Sequence, residues 1–143
     1  MNLYFLNSDE KILSLFLSSC TEELTSFRYF CKRSLDIYKN HILSKIIMLN
    51  DIPIAYFHLE IDNNKCWFGV CVNKMYQGIG VSSLIINYVK VFCTLNNIGR
   101  IHLTVDSDNT VAINAYNKQG FTVVQNNINN IEMCLNIKGF KNV

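Results

Sequence analysis

Between residues 65 and 105 the sequence runs strand, glycine turn, long helix, strand, and no other stretch restricts the possible folds as tightly. Lys65 to Val72 is rich in β-branched and aromatic residues, and Gly78-Ile79-Gly80 follows it. Beyond the glycines, Val81, Leu84, Ile85, Tyr88, Val89, Phe92 and Leu95 recur at helical intervals until Asn96-Asn97-Ile98-Gly99, and Ile101 to Val105 then alternates as a strand. A helical crossover carries the chain back to the end of the sheet where it began, so the two strands are predicted to be parallel neighbours.

The rest of the chain pairs antiparallel. Asn2 to Asn7 reads as a strand, and Ser8-Asp9 as the cap of a helix that turns Ile12, Leu13, Phe16 and Leu17 inward. A second helical stretch is expected at about Glu22 to Tyr38. His41 to Leu49, Pro53 to Ile61 and Lys65 to Val72, separated by Asn50-Asp51 and Asp62-Asn63-Asn64, form a three-strand meander. Asn109 to Gln119 is a helix closed by Gly120, and Phe121 to Val124 and Ile131 to Ile137 are final strands. The expected fold is a mixed, mostly antiparallel α/β sheet of about seven strands with about four helices. With no repeat, linker or low-complexity tract, residues 1–143 are expected to form a single domain.

Composition removes several classes of function. Half of the 143 residues are hydrophobic and 17% are charged, which excludes disorder of the whole chain. A net charge of +2 offers no basic face for nucleic acid, and no apolar run approaches the ~20 residues of a membrane span. Cys20, Cys31, Cys66, Cys71, Cys93 and Cys134 read as free, mostly buried thiols of a cytoplasmic protein. His41, His58 and His102 lack zinc spacing, so no metal is expected, and monomer and homodimer both stay open.

Two segments carry chemistry. The turn Gln77-Gly78-Ile79-Gly80 bares backbone N–H groups at the positive end of a helix, where an anion such as phosphate would sit. It is not a P-loop, having no Gly-Lys-Ser/Thr, nor a dinucleotide fingerprint, since Ser83 replaces the third glycine; the alternative reading is a tight strand-to-helix turn with no ligand. Asn109 and Tyr116, seven residues apart, share a helix face with Ala112 and Ile113 between them. They can border a groove for an extended ligand, or act as a helix cap and a core aromatic.

Asn73-Lys74-Met75-Tyr76-Gln77-Gly78-Ile79-Gly80, followed by Asn109-Thr110-Val111-Ala112-Ile113-Asn114-Ala115-Tyr116-Asn117-Lys118-Gln119-Gly120-Phe121, resembles the GNAT superfamily of acyl-CoA-dependent N-acetyltransferases. Met75 stands where that family usually has Gln or Arg; Gly78 and Gly80 match. The resemblance implies an acetyl-CoA-dependent N-acetyltransferase domain. The amides of Gln77, Gly78, Ile79, Gly80, Val81 and Ser82 would hold the pyrophosphate of acetyl-CoA. The pantetheine arm would run beside Val70, Cys71 and Val72, touching Asn109 and passing Ala112, and Tyr116 would face the sulfur as the acid. Transfer to an amine acceptor would be direct, without a cysteine nucleophile. A catalytically silent acyl-CoA-binding module and an interaction domain are the alternatives.

The amine must arrive unprotonated, which calls for a base. Alternation through Pro53 to Ile61 puts Tyr56, His58 and Glu60 on one face, making His58 and Glu60 the candidates, while His41 and His102 read as strand-surface residues. Phe27, Arg28 and Tyr29, in a run that interleaves aromatics with cations, are candidates to hold the acceptor, a small anionic molecule such as an amino sugar on a nucleotide. The other reading packs these aromatics inward and leaves Arg28, Lys32 and Arg33 in solvent.

Overall fold

The computed structural model describes residues 2–137. Seven strands form one mixed sheet in the order β1-β2-β3-β4-β5-β7-β6: β1 (Leu3–Asn7), β2 (Leu43–Leu49), β3 (Ile52–Asp62), β4 (Lys65–Val72), β5 (Arg100–Asp106), β6 (Thr122–Asn126) and β7 (Asn130–Asn136). Three α-helices accompany them among the described residues: α1 (Glu10–Ser19), α2 (Val81–Leu95) and α3 (Thr110–Lys118). No helix of the described residues is long and apolar enough to cross a membrane. Contacts divide the chain into two compact units, one comprising residues up to Ile61 with Phe68–Ser82, the other Asp62–Trp67 with the residues from Ser83 onward.

In the first unit, β1 pairs antiparallel with β2, and β2 with β3. Asn50 and Asp51 make the β2–β3 turn with φ of 48° and 69°, and Asn63 and Asn64 make the β3–β4 turn with φ of 51° and 63°. Two consecutive left-handed residues give the tight hairpin whose twist matches its strands, and Asn and Asp tolerate that conformation better than other side-chain-bearing residues. Asp9 caps α1 by accepting from Ile12 N at 2.8 Å. The helix buries Leu13 and Phe16 in a core with Ile46, Met48, Tyr56 and Cys71, where each large apolar side chain contributes about 1.5–3 kcal/mol. Phe57, on the other face of β3, meets Phe5 edge-on at 5.9 Å.

The helix expected over 22–38 does not form as one piece. Two short 3-10 helices, Glu22–Thr25 and Leu35–Asn40, stand in its place, joined by irregular chain. Neither has a side-chain cap, and on a helix Tyr29, two residues from Phe27, would lie off the face that Phe27 and Phe30 share, so the packing of all three rings together overrides helix propensity.

In the second unit α2 turns Ile85, Ile86, Val89 and Cys93 inward. It ends as its sequence predicts: Asn97 adopts φ 58°, and Ile98 N donates to Cys93 O at 2.9 Å. β5 runs parallel to β4 through the pair Trp67 and His102, as the crossover requires. β7 pairs antiparallel with both β5 and β6, leaving β6 as an exposed edge.

Candidate active site

Asn73, buried at the end of β4, sets up the glycine turn. Its N–H donates to Ile54 O at 2.9 Å, its Oδ1 accepts from Met75 N at 3.0 Å, and its Nδ2 donates to Ser19 O and Oγ at 3.2 Å. A 3-10 turn over Lys74–Tyr76 follows, and Gln77 Nε2 donates back to Val72 O at 2.9 Å. Gly78 and Gly80 then adopt φ of 79° and 90°, a region costly for residues with a Cβ. A Cβ on either would meet nothing within 4 Å, so the glycines serve conformation and leave the approach to the backbone open. Ile79 and Met75 point outward at 64% and 84% exposure. Lys74, which is paired with Glu22, also donates its N–H to Glu23. Val70 is half-buried and Cys71, Val72 and Val81 are buried, while Gln77 and Ser82 are exposed.

The face predicted for β3 is present, and it carries a cluster that the sequence shows only in part. Tyr56 O–H and His58 Nδ1 share a hydrogen bond of 2.8 Å. Tyr29 O–H donates to Glu60 Oε1 at 3.1 Å and lies 2.7 Å from His41 Nε2. A hydroxyl carries one proton, so with that proton on Glu60 the phenol oxygen accepts from His41 Nε2–H, and His41 Nδ1 remains a buried lone pair without a partner. The rings of His41 and His58 stack at 4.2 Å with 14° between planes, and Tyr29 lies 4.3 Å from His58. Burial, the nearby His41 and the Arg33 guanidinium hold His58 well below its ordinary range; burial likewise lowers His41, against the pull of Glu60. Both histidines are therefore neutral at pH 7. Burial, then Glu60, pushes the Tyr29 phenol up, so it stays protonated.

Room for this stack comes from Gly69. A Cβ there would lie 2.3 Å from His58 Cε1, so the absence of a side chain admits the ring. His41, His58 and Glu60 also offer ligand atoms within 4.8 Å of one another. Near-parallel stacked rings aim their lone pairs in separate planes, so the two histidines do not converge on one ion at the ~2 Å a metal bond needs.

Of the acceptor candidates, Phe27 and Tyr29 belong to this ring cluster: Phe27 lies 5.9 Å from Tyr56, and Phe30 lies 5.4 Å from it. Arg28 is exposed and donates to Thr25 O at 2.5 Å. Arg33 also meets the cluster: its guanidinium stands 4.2 Å over the Tyr29 ring and donates to Tyr29 O at 2.8 Å. His41 and His102 are not surface residues. The His41 side chain is fully buried against Tyr29, and His102 is 7% exposed, with Nδ1 2.9 Å from Glu132.

In the second unit Asn109 caps α3, its Oδ1 accepting from Ala112 N at 3.2 Å. That satisfies one orphan amide and leaves the side-chain N–H₂ as the group's donor end. Ala112 and Tyr116 are half-buried, and the Tyr116 ring meets Phe121 edge-on at 5.5 Å. Gly120, with φ 102°, turns the chain from α3 toward β6, and Phe121 N closes on Tyr116 O at 3.0 Å. No buried thiol is a ready nucleophile: burial pushes Cys66 up to about 12 and Cys93 to about 11, and raises Cys71 further.

A family model described as the acetyltransferase (GNAT) family matches residues 10–121. Among solved structures, the paia N-acetyltransferase of Thermoplasma acidophilum in complex with coenzyme A is 15% identical, with a TM-score of 0.77 over 95% of this chain and 99% of that one. The GNAT domain of S. lividans PAT is 15% identical, with a TM-score of 0.79 over 94% of this chain and 89% of that one. A spermidine N-acetyltransferase SpeG chimera from Vibrio cholerae and hSSAT is 20% identical, with a TM-score of 0.75 over 98% of each. At these identities the structural likeness carries the fold.

Proposed function

The chain belongs to the acetyltransferase (GNAT) family, and from that premise we propose that it works as one N-acetyltransferase domain, moving an acetyl group from acetyl-CoA directly to the primary amine of a small-molecule acceptor such as an amino sugar. The glycine turn is the observation that carries this reading. Gly78 and Gly80 hold left-handed φ with open space around them, and the turn leads into the positive end of the 15-residue α2. Such an arrangement suits a pyrophosphate held by the amides from Gln77 to Ser82. The pantetheine arm runs along Val70, Cys71 and Val72, whose strand has a ladder with β5 resting on the single pair Trp67 and His102. The Asn109 amide and Ala112 border the arm.

Acetyl-CoA would supply the activated thioester, with coenzyme A leaving as the free thiol. Glu60 accepts the proton of the acceptor ammonium; its side chain is 24% exposed and so is reachable from solvent. His58, the other candidate base, has Nδ1 committed to Tyr56 and serves as the floor beneath Tyr29. The freed nitrogen lone pair attacks the thioester carbon, polarised by a backbone N–H near Val72, and the C–S bond breaks as the C–N bond closes. Tyr116 donates a hydrogen bond to the sulfur as charge develops. A phenol near pKa 10 is uphill of a thiol near 8.5 by about 2 kcal/mol, so full proton transfer waits on desolvation of the thiolate.

Acetyl-CoA at a hundred times its dissociation constant is expected to stabilise the protein by about 2.7 kcal/mol, read by thermal shift, and a panel of amines is expected to release free thiol. Tyr116→Phe lowers turnover by ~10²-fold or more with acetyl-CoA affinity nearly kept. No thermal shift would favour an interaction domain; a shift without thiol release from any amine would favour a silent acyl-CoA-binding module.

A further inference from the structure

The geometry points to an acceptor that carries an anionic group beside its amine: Glu60 takes the ammonium and Arg33 takes a carboxylate or phosphate, with Tyr29 holding the two apart. This deepens the transferase reading and rests on it for the position of the amine.

Both charges are fastened to one residue without neutralising each other. The Arg33 guanidinium lies on the face of the Tyr29 ring, 4.2 Å from its centroid, with Nη1 donating to the Tyr29 carbonyl at 2.8 Å. Glu60 Oε1 accepts from the hydroxyl end of the same ring at 3.1 Å. Among the described residues no carboxylate pairs with Arg33. A guanidinium has five N–H donors in a planar fork, and the Tyr29 carbonyl takes one, so most of the fork is left for an anion. On Glu60, Oε2 lies 3.9 Å from His41 Nε2, beyond a hydrogen bond, so that oxygen is left for a ligand. Tyr29 cannot swing to bring the two charges together. Its ring is packed by Phe30 at 5.0 Å and His58 at 4.3 Å, and its hydroxyl is held at the other end.

This arrangement also says what is refused. Arg33 occupies the Tyr29 face that a cationic substrate would otherwise use, and exposed Lys32 adjoins it in sequence. A polyamine would bring a second positive charge against the guanidinium, whereas a zwitterion finds an opposite charge at each end. The cation that reads the acceptor is thus Arg33, in place of Arg28.

The test is binding of amines to the protein holding coenzyme A, measured by calorimetry. β-Alanine is compared with β-alaninamide, 4-aminobutyrate with its amide, and O-phosphoethanolamine with ethanolamine; spermidine represents the polycations. At least one anionic amine is expected to bind tenfold or more tightly than its uncharged partner, with the carboxylate and phosphate arms showing which anion is read. In Arg33→Gln that ratio falls to near one; Arg33→Lys, keeping the charge without the fork, retains part of it; Lys32→Gln leaves it in place. Equal binding of charged and uncharged partners, a ratio that survives Arg33→Gln, tighter binding of spermidine, or binding of none of the anionic amines overturns the assignment. Thiol release from acetyl-CoA with the preferred amine is scored separately. A charge preference without release sinks the transferase reading and upholds this one, and release confined to uncharged amines or polyamines does the reverse.

Discussion

Glu60 in the first unit and Glu132 in the second both sit beside a histidine, but their surroundings are furnished to opposite ends. Glu132 is 7% exposed and is held at Oε2 by two partners: His102 Nδ1 stands 2.9 Å away and Lys65 Nζ 3.2 Å away, with Lys65 also 5.6 Å over the Trp67 ring. Burial pushes its carboxyl up, but the hydrogen bonds from Lys65 and His102 outweigh that and hold it below the usual range. Glu60 receives one phenol hydrogen bond, keeps solvent access and has neutral histidines behind it. A buried carboxylate clamped by a lysine and a histidine is structural. One with capacity left over is a candidate for binding and proton transfer.

The sharpest way to break this contrast is to neutralise each carboxylate. Glu60→Gln is expected to lower kcat/KM by about 10²-fold or more at saturating acetyl-CoA, because the amine loses its proton acceptor. Glu132→Gln is expected to leave turnover in place and to cost about 1–3 kcal/mol of unfolding free energy, since His102 and Lys65 lose a charged acceptor. Steady-state kinetics and denaturant unfolding on both variants decide it. If the two effects were exchanged, the functional assignment would belong to Glu132.

Gly69 probes the packing within the first cluster. In Gly69→Ala the new Cβ would lie 2.3 Å from His58 Cε1, and that ring is hydrogen-bonded to Tyr56, stacked on His41 and packed against the tilted Tyr29 ring. Overpacking of this kind costs about 1–3 kcal/mol, read as a lowered unfolding midpoint, and turnover falls with it as Tyr29 shifts. An unchanged midpoint would mean that the stack yields easily and does not fix Tyr29.

Parts of this were legible before any coordinates. Alternation along β3 put Tyr56, His58 and Glu60 together, and the crossover through α2 placed β4 beside β5. The sequence marked Asp62-Asn63-Asn64 as the break between two strands; the structure narrows it to a two-residue turn at Asn63-Asn64, from which counting back sets His58 against Gly69, where the ring and the missing side chain meet. The stretch 26–34 offers no such rule. Arg33 reaches the cluster because Phe27, Tyr29 and Phe30 are packed irregularly, and His41 because the chain before β2 folds under it. Both positions are consequences of tertiary packing that no periodicity encodes. The same limit made His102 look like a surface residue, since its partner Glu132 is 30 positions away.

The clusters should also part company with pH. A histidine whose folded pKa is lowered binds fewer protons when folded than when unfolded, so stability rises with pH across the window between its folded value and about 6.5. Acidification from 7 toward 5 should therefore destabilise the protein, with His58 contributing at most about 1.4 kcal/mol per pH unit. The lowered Glu132 has the other window: its contribution is whole above about 4.5 and is lost as pH falls through its folded value. Unfolding free energy measured against pH should lose slope between 5 and 6.5 in His58→Asn and keep it in Glu132→Gln. A slope undiminished in His58→Asn would assign the titration elsewhere; a residual one is that of the likewise lowered His41.

Met75 calibrates the glycine turn against all of these. The resemblance to other acetyltransferases places a Gln or Arg at this position, yet here the side chain is 84% exposed, and what holds its backbone is the Asn73 Oδ1 contact to Met75 N. A phosphate cradle made by amides depends on φ at Gly78 and Gly80 and on that asparagine, and the thioether projecting into solvent adds little. Met75→Ala is therefore expected to change unfolding free energy by less than about 0.5 kcal/mol and to leave acetyl-CoA affinity within a factor of about two. A tenfold loss of affinity, measured by calorimetry, would show that the side chain itself grips the nucleotide and that the backbone account of the turn is incomplete.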